Sequence, residues 1–162
     1  MSQPNQKSLS VGLREAVGLE KDTIAYSHTV DRLITTGSAE ALRGIPAHII
    51  KKSWFTLSHT LLQKGAHVID AGCSDGIMAY CMAALKPDIK VTGIDIDPAT
   101  IAAAQKKYIL PNLTYAVGNV LRDIAPPNSV DVIINSFILH EVYSASYYSD
   151  RLIRSTLEEQ YA

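Results

Sequence analysis

Asp70-Ala71-Gly72-Cys73-Ser74-Asp75-Gly76 and, further along the chain, Asp95 are the residues whose types and spacing could do chemistry. Asp70 ends an apolar run, and a turn of small residues follows it at once. A second run, Val91-Thr92-Gly93-Ile94-Asp95, again ends in an acid. Two strand-end carboxylates on either side of a tight glycine-rich turn form a crevice for an adenosine-type ligand. Gly72 and Gly76 let the backbone approach a ligand where a Cβ would clash. Asp95 stands where an acid accepts hydrogen bonds from ribose hydroxyls in doubly wound folds. A dinucleotide fingerprint needs glycines at its first, third and sixth positions. Counted from Gly72, those positions hold Gly72, Ser74 and Ile77, so that pattern fails twice.

These residues need strands and helices to hold them. From residue 66 the pattern alternates: strands over 66–70, 90–95, 113–117 and 130–135, and helices over 76–85, 98–107 and 147–161. Pro98 suits a first helical position, with Asp97 as its cap. Val130, Val132, Ile133 and Ile134 are apolar on both faces of their strand, as in a parallel sheet covered on both sides. The class expected is α/β, a Rossmann-like doubly wound parallel sheet, with its ligand at the carboxyl ends where the strand order reverses. Ahead of the sheet, residues 1–22 are polar. Short helices are expected over 23–35 and 39–43, Ser38 capping the second. A longer helix over 47–63 follows, with Ile49, Ile50, Trp54, Leu57, Leu61 and Leu62 at helical intervals and Gly65 as its stop. Residues 1–45 read as an N-terminal helical extension and 46–162 as the ligand-binding domain.

The run Asp-x-Gly-x-Ser-x-Gly over 70–76 resembles the first motif of the class I S-adenosylmethionine-dependent methyltransferases, with Ser74 in place of the middle glycine. The resemblance covers about residues 40–145 and implies S-adenosylmethionine as cofactor. It implies that Asp70, Gly72, Cys73, Ser74 and Gly76 hold the methionine part, Asp70 lying near the amino group. Asp95 would meet the ribose and Ile96 the adenine. Asn119, beside Val120, stands where the family often has an acid for the adenine amino group; an amide oxygen can accept that bond. Asn135 and Ser136 would lie near the methyl group at the end of the fourth strand. His140, in the following Leu-His segment, is the proton-transfer candidate. Tyr143, Tyr147 and Tyr148 could line an acceptor pocket. Lys51-Lys52 could approach an acidic acceptor, although an ordinary solvated face accounts for the pair better.

The activity implied is methyl transfer to a small-molecule acceptor; the alternative is a non-catalytic module that binds the cofactor or a partner protein. The family's sheet has seven strands and only four are found here. The chain is therefore expected to be an N-terminal, cofactor-binding fragment with an exposed fourth-strand edge, open to self-association or a partner chain. The 162 residues carry a net charge of −1, with 47% apolar and 19% charged residues, and make no general case for nucleic acid or an anionic membrane. No Asn/Asp-Pro-Pro-Tyr/Phe tetrad stands at Asn135-Ser136-Phe137-Ile138, which also argues against a nucleic-acid acceptor. No metal-ligand cluster, signal core or run of about 18 apolar residues appears. Cys73 and Cys81 cannot build a disulfide framework, and a cytoplasmic protein is expected.

Overall fold

The computed structural model describes residues 40–122 and 124–161. The helix expected over 23–35, the polar segment 1–22 and the cap at Ser38 lie outside the described residues. Helix α1 (Ala47–Ser58) follows Pro46 and buries Ile50, Ser53 and Leu57, spaced for one face. It ends before the expected residue 63 because polar side chains take up its last carbonyls. Ser58 Oγ donates to the Trp54 carbonyl at 2.7 Å and Thr60 Oγ1 to that of Leu57 at 2.9 Å. These bonds satisfy acceptors that a helix end leaves open, and Leu61 beyond them is solvent-exposed.

Four parallel strands follow: β1 (His67–Ala71), β2 (Lys90–Asp95), β3 (Leu113–Val117) and β4 (Val132–Asn135), in the order β3-β2-β1-β4. Val68 faces Val91 on one side and Val132 on the other. The order reverses between β1 and β4, so their carboxyl ends open a crevice, as doubly wound sheets require. β4 starts two residues later than its apolar run suggests. The Asp131 carboxylate takes over there, accepting the His67 N–H at 2.7 Å while the Asp131 N–H donates to the His67 carbonyl.

Helices cover both faces of the sheet. Helices α1, α2 (Ile77–Leu85) and α3 (Pro98–Lys107) enclose one core, in which Val68 and Val91 meet Met82, Leu85, Ile101 and Ala104. On the other face Ile69, Ala71 and Ile94 pack with Val120, Val142, Leu152 and Ile153. Those last residues belong to the loop after β3 and to helices α4 (Leu139–Ala145) and α5 (Asp150–Tyr161). The helix expected over 147–161 thus begins only at Asp150, and a separate short helix, α4, precedes it. Tyr147 and Tyr148 both adopt left-handed backbone, φ 54° and 65°, and break the chain between α4 and α5. The Tyr148 N–H donates to the Tyr143 carbonyl and closes the turn.

Among the described residues, β4 pairs only with β1. Its other edge opens on a groove of about 580 Å³, lined in part by Val130, Val132, Ile133, Leu157 and Tyr161. Among the described residues, no helix is long and apolar enough to cross a membrane.

Candidate functional site

The turn from β1 into α2 is stitched to β2. The Gly72 and Cys73 amides both donate to the Ile94 carbonyl, at 2.8 and 2.9 Å. Gly72 has φ +72°, and a Cβ there would lie 2.7 Å from the Ile138 side chain. Ser74 also adopts left-handed backbone, φ 49°, a conformation that costs a non-glycine residue about 1–2 kcal/mol. Its N–H donates to Asp95 Oδ2 at 2.8 Å, which ties the strained turn to the second strand. The Asp97 N–H donates to Asp95 Oδ1 at 3.1 Å. Both oxygens of Asp95 are thereby oriented, and each keeps a further lone pair. Gly76, φ +79°, caps α2, and Tyr115 supports it from beneath: its ring fills the space of an absent Cβ and its hydroxyl donates to the Gly76 carbonyl at 3.0 Å. Asp97 caps α3 as expected, accepting the Ala99 and Thr100 amides at 3.1 Å.

Asp70 lies below this turn and is 2% exposed. Its Oδ2 is buried without a hydrogen-bond partner among the described residues. Burial raises its pKa to about 7; the nearby Lys52 ammonium and the Ala79 N–H oppose the rise, and Asp95 adds to it. A buried carboxylate with one oxygen unpartnered is costly, and such perturbed groups cluster at binding sites. Cys73 is a neutral thiol, since burial, with Asp70 and Asp95 nearby, pushes its pKa to about 12. It therefore packs at the site and is no nucleophile.

The remaining sequence-predicted residues are arranged as follows. Ile96 is 68% exposed beyond Asp95, an apolar surface open to a planar ligand. Asn119 spends its Oδ1 on the Leu121 N–H at 3.0 Å, and Val120 is buried. Asn135 is held by α5: its Nδ2 donates to Gln160 Oε1 at 2.8 Å, and Gln160 Nε2 donates to the Val120 carbonyl at 3.2 Å. The Ser136 hydroxyl, at the end of β4, is buried without a partner among the described residues. His140 sits in the first turn of α4, exposed, with Nε2 3.0 Å from Glu141 Oε1. The Tyr143 and Tyr148 rings meet edge to face at 5.6 Å, and Tyr147 is exposed.

Three participants were not singled out at the sequence level or were given another role. Tyr115 and Gln160 carry no motif, and only folding brings them to the loop and to β4. Lys52 is half-buried, beside Asp70 and with Nζ 3.6 Å from the centroid of the Phe137 ring. It is no solvated face. The available signal was its place next to the apolar stripe of α1. Among the described residues, no group of three His, Cys, Asp or Glu could hold a metal ion.

Residues 68–156, more than half of the chain, match a family described as a methyltransferase domain. A probable S-adenosylmethionine-dependent methyltransferase of Mycolicibacterium smegmatis is 28% identical over 118 residues, which are 69% of this chain and 44% of that protein. The ribosomal RNA large subunit methyltransferase G of Streptomyces griseus is 29% identical over 92 residues, 53% of this chain and 24% of that one. In fold, the chain is similar to the glycopeptide N-methyltransferase MtfA, whose crystal structure is complexed with sinefungin. The TM-score is 0.53 at 13% identity, over 73% of this chain and 47% of that one. The chain thus spans less than half of the length of each of these relatives. The domain match, the doubly wound sheet and the Asp70–Gly76 turn agree: the chain belongs to the class I S-adenosylmethionine-dependent methyltransferase family.

Proposed function

We propose that the chain carries the cofactor-binding part of an S-adenosylmethionine-dependent methyltransferase acting on a small molecule. One observation supports this above the others: a buried carboxylate oxygen of Asp70 without a partner, beneath a glycine turn, at the point where the strand order reverses. That donor set fits a ligand with an ammonium group and no phosphate. When bound, the cofactor would supply an activated methyl group on sulfonium. The chain's residues would do the positioning. Asp70, Gly72, Cys73, Ser74 and Gly76 would hold the methionine part, and Asp95, Ile96, Asn119 and Val120 the adenosine. Asn135 and the free hydroxyl of Ser136 would border the methyl group. In-line geometry supplies most of the catalysis in such a transfer. His140 would serve where the acceptor must lose a proton as it attacks.

A small-molecule acceptor is favoured by the net charge of −1 and by Asn135-Ser136-Phe137-Ile138, which lacks a nucleic-acid methyltransferase tetrad. The Streptomyces relative is named for ribosomal RNA, so RNA is the competing acceptor, and a non-catalytic binding module is the competing role. The open β4 edge, with its apolar groove, would take a further strand from this protein, a second copy or a partner. Buried, unbridged Cys73 and Cys81 favour a cytoplasmic setting.

Calorimetric titration with S-adenosylmethionine, S-adenosylhomocysteine and NADH tests the reading, with Asp95→Ala as control. Micromolar binding of the first two, lost in the variant, is expected. A folded chain that binds none of the three refutes it. Transfer of a radiolabelled methyl group to a small-molecule extract rather than to RNA would decide between acceptors and exclude the binding module.

A further inference from the structure

The carboxyl end of β1 holds a buried acid with an opposite charge nearby that does not touch it. Asp70 presents a buried oxygen with no hydrogen-bond partner. Lys52 of α1 lies near enough for its charge to act on Asp70, yet no ion pair within 4.0 Å joins them. Lys52 is also held in place. Its Nζ stands 3.6 Å over the Phe137 ring, a cation–π contact that fixes a side chain otherwise free to reach solvent. Phe137 is presented by left-handed backbone, φ 63°, immediately after the unpartnered Ser136 hydroxyl. The next residue, Ile138, packs against Gly72. Lys52 thus touches the segment leaving β4 and acts by its charge on Asp70 of β1, the two strands that flank the crossover.

An unbridged acid and base, separated and fixed, are complementary to a zwitterion. A group carrying an ammonium and a carboxylate on adjacent positions can satisfy both charges at once, ammonium to Asp70 and carboxylate to Lys52. A simple cation would satisfy Asp70 and be repelled by Lys52. We propose that Lys52, positioned by Phe137, binds the carboxylate of the cofactor's amino-acid end and makes the site selective for nucleosides that carry an intact α-amino acid. This rests on the cofactor reading above and adds to it a specificity-determining residue from outside the glycine turn. Burial lowers the Lys52 pKa, and the Asp70 charge opposes that lowering.

The test compares three nucleosides by calorimetry on the full chain: S-adenosylhomocysteine, its decarboxylated analogue S-adenosyl-3-thiopropylamine, and 5′-methylthioadenosine, which lacks the whole amino-acid end. Lys52→Met keeps the apolar stem over Phe137 and removes the charge; Lys52→Arg keeps the charge. Thermal unfolding checks that both variants remain folded. Loss of a charge-assisted bond at a half-buried site is expected to weaken S-adenosylhomocysteine about tenfold to a hundredfold in Lys52→Met. 5′-Methylthioadenosine should bind within about twofold of wild type. The cationic decarboxylated analogue, relieved of repulsion from Lys52, should bind no more weakly than to wild type, and Lys52→Arg should recover most of the loss of S-adenosylhomocysteine. Equal weakening of all three nucleosides, or none of S-adenosylhomocysteine, overturns the Lys52 assignment and leaves the cofactor site standing. Wild-type protein that binds none of them overturns the cofactor reading, and the assignment with it.

Discussion

Replacing Asp70 with Asn should stabilise the fold while destroying the proposed site. Asp70 is 2% exposed, with one oxygen unpartnered, and burial raises its pKa from 3.8 to about 7. A carboxyl whose folded pKa is raised contributes most to stability below its unfolded pKa, near 3.8. That contribution falls as pH rises towards 7, and above 7 the cost is constant. At about 1.36 kcal/mol per pH unit, the cost of holding Asp70 ionised is about 1.5 kcal/mol at pH 5 and about 4 kcal/mol at pH 8. Asn has nearly the same shape and stays neutral, and Lys52, half-buried, can still reach water. Asp70→Asn should therefore gain at pH 8 about 4 kcal/mol less the roughly 1–3 kcal/mol of leaving its amide N–H unpaired where Oδ2 stood, with an advantage about 2.5 kcal/mol larger at pH 8 than at pH 5. Urea unfolding followed by circular dichroism at both pH values measures it. A variant no more stable at pH 8, or with the same advantage at both pH values, would refute the reasoning. Calorimetry should show that the same variant has lost S-adenosylhomocysteine, a trade of function against stability of the kind buried ionised groups impose.

The glycine turn and its support make two further predictions. Gly72→Ala should cost about 2–4 kcal/mol, from left-handed strain and the collision with Ile138. Gly65→Ala, at φ +86° with nothing within 4 Å of the added Cβ, should cost only the strain, about 1 kcal/mol; equal losses in urea unfolding would remove Ile138 from the account. Tyr115→Phe should lower stability by about 0.5–1.5 kcal/mol, since it removes one of the two bonds to the Gly76 carbonyl and leaves that from the Tyr80 N–H. It should also weaken S-adenosylhomocysteine in the same titration, and unchanged stability and binding would show that Gly76 needs no support from beneath.

The sheet and the cofactor motifs were legible because both write themselves locally. Apolar runs that end in Asp70 and Asp95 mark strands, and the small residues of 72–76 mark a turn that only permissive backbones allow. Asp97 followed by Pro98 is a helix start that any context would honour. What was not legible depended on distant partners. Lys51 and Lys52 are neighbours of one type, and only the packing of α1 against α2 decides that Lys52 turns inward. The break at Tyr147 and Tyr148 could not be read, because left-handed tyrosines have no sequence signature and the turn is held by Ser146 and the Tyr143 carbonyl. The motif points to Asn135, but it carries no sign that Gln160, 25 residues away, holds the Asn135 amide.

The register of β1 also bears on the order of assembly. Val68 lies opposite Val91, 23 residues on, and opposite Val132, 64 residues on. Closing the longer loop costs about 0.9 kcal/mol more chain entropy than closing the shorter. The β1–α2–β2 unit, which carries Asp70 and Asp95, should therefore form early in folding, and β4 should dock late. Truncating Val91 should slow refolding, while truncating Val132 should chiefly speed unfolding; the reverse pattern in stopped-flow kinetics would contradict this order. On this route the half of the crevice proposed to read the nucleoside is built first, and the half proposed to border the methyl group is the last to be completed and the first to open.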